Sequence, residues 1–173
     1  NMERMAEAEA YRQMAEESMD QTIQAVKDRT KAQEALNPLI ERQKEIESDI
    51  TKIEKELERR HILLSKSQKD LDRELENGEI TQQEYAMAIQ GTMDTSVEYN
   101  GKLRESGEIL AELHDERIRN QESIDDLNGA IEGQNDLIEE AQSAAEEYTS
   151  QYNELTGAAE GAAEAEKARG EAT

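Results

Sequence analysis

Cys, Trp and Phe are absent from this 173-residue chain, Pro occurs once, and five Tyr are its only aromatics. Without Cys there is no disulfide scaffold, thiolate metal site, iron–sulfur ligation or cysteine nucleophile. Compartment stays open on that count, because a secreted helical protein needs no disulfides either. Hydrophobic residues make up 35% of the chain, too little for a broad globular core, so thin, elongated burial is expected. No apolar run approaches the roughly 20 residues of a membrane span. Acids and Gln follow Asn1-Met2-Glu3-Arg4-Met5, where a signal peptide needs an apolar stretch. The chain therefore reads as soluble and without a signal peptide, and its localisation stays unknown. Bases are also scarce: 20 Lys and Arg against 42 Asp and Glu leave a formal charge of −22. Arg59-Arg60-His61 is the longest basic cluster, so direct binding to nucleic acid or anionic lipid is disfavoured. The expected partners are proteins, basic ones among them.

What the sequence does contain is period. From Leu36 to Leu71 one set recurs at seven: Leu36, Gln43, Ile50, Leu57, Leu64, Leu71. A second set lies three residues on: Leu39, Ile46, Ile53, Arg60, Ser67, Glu74. Together they place an apolar seam along one side of a helix. Upstream, Met19, Ile23, Val26 and Thr30 form a stripe one position out of phase, and Pro38 follows. A stutter and a kink near Pro38 are expected. A still longer series runs from Leu103 through Ser106, Leu110, Leu113, Arg117, Asn120, Ile124, Leu127, Ile131, Gln134, Ile138, Ala141, Ala145, Tyr148 and Tyr152 to Leu155 without a register break.

Between the two series, Glu76-Asn77-Gly78-Glu79-Ile80-Thr81 carries a helix-ending Asn-Gly, and Thr81-Gln82-Gln83-Glu84 has capping-box spacing. The expected fold is all-α, a long antiparallel helical hairpin forming a two-stranded coiled coil. Its parts are a first helix over 1–76, a turn at 77–81, a second helix over 82–156 and a flexible Ala/Gly/Glu tail over 157–173. Folding back near Gly78 would set Gln43 against His114, Leu64 against Met93 and Ile23 against Gln134. Arg117 and Asn120 would then meet Asn37, Pro38 and Ile40 in a polar layer that fixes register or acts as a hinge. Ile109, Ile118 and Leu137 lie off the main stripe and could pair two hairpins into a larger bundle, a homo-oligomer.

Chemistry-bearing residues are present but not gathered. His61 and His114 are the only histidines and fall far apart along the hairpin, so neither a shared metal nor a catalytic base is expected. Asp125-Asp126-Leu127-Asn128-Gly129 fails as a calcium loop, since aligning its Gly puts Ile124 first and Asn135 where the bidentate Glu belongs. No phosphate-binding Gly-Lys-Ser or Gly-Lys-Thr occurs. Neither a catalytic site nor a cofactor is expected. The Met cluster, Met2, Met5, Met14 and Met19, suits a loose helix interface. Charge is uneven: residues 121–166 hold thirteen Asp and Glu and no Lys or Arg, while 41–76 hold eleven acids and nine bases. The acidic end is either a solvated face or a docking surface for a basic partner.

The phrase Asn77-Gly78-Glu79-Ile80-Thr81-Gln82-Gln83-Glu84-Tyr85 between Glu/Lys/Gln-rich helices resembles linkers of phage tail tape-measure proteins. The resemblance implies a structural coiled-coil spacer, a virion tail component that sets length. The competing expectation is an acidic hairpin that binds a protein partner through its tip or open end, as an adaptor, a receptor-binding arm of a secreted toxin or a charge-mimicking inhibitor. Asn77, Gly78, Ile80 and Tyr85 are the candidate tip contacts. Asn37, Pro38, Arg117 and Asn120 are the candidate polar layer.

Overall fold

The computed structural model describes residues 2–172, with side chains described for 2–157. Its elements are α1 (Met2–Leu64), α2 (Gln68–Glu76), α3 (Gln82–Gln90), β1 (Ser96–Tyr99), β2 (Lys102–Glu105) and α4 (Ser106–Ala172). The fold is helical, and α1 packs antiparallel to α4 as a hairpin, as the heptads require. One short β-ribbon is the exception. The chain divides into two compact units, one of Asn1–Asn37 with Asp125–Thr173 and one of Pro38–Ile124.

The central unit, 38–124, corrects the expected single turn. α1 stops at Leu64 rather than near residue 76, because Ser67 turns extended and caps α2 by accepting from the Asp70 amide. The Asn77-Gly78 turn and the Thr81/Glu84 capping box are both present, but they join two nine-residue helices rather than two long ones. α3 ends on Gly91 in left-handed geometry, φ 71°. Asn100 and Gly101 follow with φ 52° and 77°, the paired positive angles of a type I′ hairpin turn. They close β1 on β2 with Val97 opposite Arg104. Only then does α4 begin.

Two apolar clusters hold this unit. Ile46, Ile50 and Ile53 of α1 meet Ile109 and Leu113 of α4, and Val97 of the ribbon packs with them. Leu63, Leu71, Ile80 and Ala88 make the second cluster where α1 meets α2 and α3. Ile109, off the predicted stripe, is fully buried because the ribbon supplies a third wall. Leu103, its predicted first member, is 72% exposed on β2.

In the other unit the seam of α1 is Ala8, Tyr11, Ala15, Ser18, Thr22 and Ala25, all buried or half-buried. These residues stand in the same heptad phase as Leu36, Leu39, Gln43 and Ile46, so the expected stutter does not exist. Met19, Ile23 and Val26 point outward instead, 56%, 52% and 36% exposed. The α1 side of this seam is built mainly from small side chains set against larger ones on α4. Facing them on α4 are Ile138 and Ala141, both buried. The rings of Tyr11 and Tyr148 lie 6.2 Å apart, and Arg29 donates to Asn135 Oδ1 at 2.9 Å. The tail expected at 157–173 lies, beyond Gly157, outside the residues whose side chains are described.

Candidate functional site

The tip is a built structure rather than a loop. Arg60, a seam position of α1, turns its guanidinium onto the carbonyls of Asp94 (2.6 Å) and Ser96 (2.8 Å) and so fixes the start of β1. Arg59 pairs with Glu84, the acid that also closes the capping box of α3. One carboxylate therefore serves a helix terminus and an inter-helix contact. Lys66 pairs with Glu74 across the α1–α2 bend. Tyr99 donates to Asp49 Oδ2 at 3.3 Å, and Arg104 takes Glu112 through two bonds of 3.0 and 2.7 Å. That fork holds the Glu112 carboxyl below its ordinary range.

Of the expected tip contacts, Asn77 and Gly78 are exposed in the α2–α3 turn. Gly78 has φ 72°, a conformation that favours glycine. Ile80 is a correction: it is 8% exposed and belongs to the second apolar cluster. An apolar residue next to a tight turn buries itself when two short helices can close over it. Tyr85 is half-buried against the same cluster and donates to Asp72, and that bond raises its phenol above the usual value. What the tip does expose is Leu103, with Ile62 and Ile89 about half exposed. A cleft of about 590 Å³ lies between the end of α1, α3 and the ribbon, with Arg59, Met87, Asp94 and Leu103 among its walls. The signals for this site were Ser67 three residues before Asp70, Gly91, and Asn100-Gly101 flanked by Val97, Tyr99 and Leu103.

The polar layer comes together only in part. Asn120, 8% exposed, donates to the Leu39 carbonyl and to Gln43 Oε1, both at 2.8 Å. Gln43 donates in turn to Gln121 at 3.4 Å. Arg42 grips Glu116 through bonds of 2.6 and 2.8 Å, which depress the Glu116 carboxyl. Arg117 is half-buried, while Asn37 and Pro38 are exposed and outside the network. α1 runs helically through Pro38, which only withholds its missing N–H from the preceding turn. Gln43 thus meets residues 120 and 121 rather than His114, six to seven residues on, close to one heptad. A hairpin whose seams repeat every seven residues can move by one repeat and still pair its apolar sets. The extra chain in α2, α3 and the ribbon selects the register adopted.

Among the described residues no three His, Asp or Glu side chains gather to hold a metal ion. His61 is exposed and His114 half-buried. No helix is long and apolar enough to cross a membrane. In the unit of 1–37 and 125–173, a groove of about 990 Å³ runs between α1 and α4, lined by Met19, Ile23, Ala145, Glu146 and Glu154 among others. Comparison with protein-family models, curated proteins and solved structures finds no match.

Proposed function

We propose that the chain is a non-catalytic structural element, a coiled-coil spacer that works through heptad length and side-by-side contacts. A component of a phage tail or other virion is the form that the Asn77–Tyr85 resemblance favours. The observation that carries the reading is the heptad seam present in each unit. Positions from Ala8 to Arg60 keep one heptad phase, and the series from Ser106 to Leu155 is buried or half-buried at every step. Charged groups at the tip are spent on ion pairs and a cap, and among the described residues no three His, Asp or Glu side chains gather at the cleft or the groove. The test removes a matched heptad from both helices, residues 11–17 with 147–153 on the register that sets Arg29 against Asn135, in the cells that make the protein. A spacer shortens the assembly that contains it, measured by electron microscopy. An assembly of unchanged dimensions overturns the reading.

A second reading has its own support in the exposure of Leu103 and Ile89 at the tip. On it the chain presents the tip to a protein partner. Leu103→Asp then abolishes that binding while leaving thermal stability unchanged, whereas Ile80→Ala unfolds the tip and cannot serve as the probe. Binding that survives Leu103→Asp removes this reading.

A further inference from the structure

α1 carries two heptad stripes in its first half, and α4 uses only one. The second consists of Met2, Met5, Glu9, Arg12, Glu16, Met19, Ile23, Val26 and Thr30, one position from the seam. Its centre is apolar and open: Met19 and Ile23 are both more than half exposed, and Met2 and Met5 are 87% and 68% exposed. Arg12 clamps Glu9 and Glu16 along the same stripe, so its charged middle is held in place beside Met19. A helical stripe of this period is what a coiled-coil partner reads.

The flanks say which partner. On one side of Ile23 stand Glu16, Glu17 and Asp20; on the other stand Lys27 and Lys31, with Asp28 between them taken by Gln24. Asp20 and Lys27 are one heptad apart, lie on the same edge of the stripe and make no ion pair within the described residues. A two-fold axis midway between them, level with Ile23 and Gln24, sets Asp20 opposite Lys27 of a second copy and Lys27 opposite its Asp20. The same operation drops Val26 between Met19 and Ile23 of the second copy. A closed two-fold contact requires this kind of self-complementary order. A basic helix would meet Lys27 and Lys31, and an acidic one Glu17 and Asp20. The α4 side is unsuited to self-pairing, because residues 121–166 hold thirteen acids and no Lys or Arg.

We infer that the stripe Met19–Ile23–Val26 of α1 is the docking surface for a second copy of this chain, crossing antiparallel near Ile23 with reciprocal Asp20–Lys27 pairs. The inference deepens the structural reading, but the two fail separately: a chain that stays monomeric can still set the length of an assembly. The full chain is weighed by light scattering and analytical ultracentrifugation from about 10 to 200 μM. The expected result is a dimer that Met19→Asp and Ile23→Asp each convert to monomer with helix content unchanged by circular dichroism. Asp20→Lys weakens dimerisation about tenfold, because two attractive pairs become two repulsive ones, and Asp20→Lys with Lys27→Asp restores it. A wild-type monomer across that range overturns the inference, as does a dimer indifferent to Met19→Asp and Ile23→Asp. A double charge swap no more dimeric than Asp20→Lys overturns the antiparallel crossing, and decides the matter even if the aspartate variants lose helix. Occupation of the stripe by a different protein while the chain stays monomeric gives the surface to that protein instead.

Discussion

The two units solve the same packing problem with opposite materials. Around residues 46–53 and 109–113 the helices interlock large aliphatic side chains, and a ribbon and two short helices add further walls. In the unit of 1–37 and 125–173, Ala8, Ala15, Ser18 and Ala25 line the α1 side of the seam against Ile138 and Ala141 of α4, while Met19, Ile23 and Val26 stand outside it. Aliphatic burial near 25 cal/mol per Å² makes the first arrangement strong by itself. The second buries little per turn. It also carries Arg29 in the seam with a buried Nε that has no partner. The central unit closes its aliphatic core with walls beyond the two long helices, whereas the other, built of those helices alone, leaves Met19 and Ile23 outside its seam.

The largest effects that would test this contrast are core truncations. Ile46 and Ile109 are fully buried, so changing either to Ala is expected to cost about 2–5 kcal/mol in urea denaturation. Ile23→Ala at low protein concentration should stay within about 0.5 kcal/mol. An equal cost at the two places would break the comparison. In the other direction, Ala15→Leu should destabilise by about 1–3 kcal/mol, since a seam of small residues has no room for added methylenes. A stabilised Ala15→Leu would mean the seam is loose rather than close.

Smaller effects sharpen the account of the central unit. Thr81→Ala removes the α3 cap and should cost about 1 kcal/mol, seen as faster amide exchange over 82–85. Replacing both Gln43 and Asn120 by Leu removes the buried polar pair as a whole, so stability should hold or rise by about 1 kcal/mol. Loss of a single antiparallel register, visible as doubled NMR resonances, would accompany it. The smallest effect is that of Glu116. Its carboxyl lies below the usual range because Arg42 hydrogen-bonds it, so the pair's contribution is present above the unfolded value of about 4.3. It is lost as pH falls through the folded value. With both side chains over a third exposed, that contribution is at most about 1 kcal/mol. Glu116→Gln should therefore flatten the pH dependence of melting between pH 5 and 3, and an unflattened profile would remove the clamp from the account.

Helix content, antiparallel pairing and the seam of α4 were legible because the period of seven is carried by many residues at once. The Thr81–Glu84 box was legible because a cap is local. Ala8, Ala15 and Ala25 are hard to read because size outweighs position in any reading by hydrophobicity, and the louder Met19–Val26 stripe stands out instead. Val97 and Tyr99 are hard to read because four-residue strands offer too few residues for a period. Asn120 bonds the Leu39 carbonyl and Gln43 rather than meeting Asn37 and Pro38, because its partners depend on a register that repeats.

The sequence by itself determined that this chain carries two long antiparallel helices with an Asn-Gly turn and a capping box between them, since periodicity, caps and breakers act over a few residues and need no distant partner. Only the tertiary structure decided which stripe of α1 meets α4, which heptad pairs with which, and that Ile80 faces inward. Those choices depend on how closely two backbones can approach and on what the chain between residues 65 and 105 places against them, and neither is encoded in any short window.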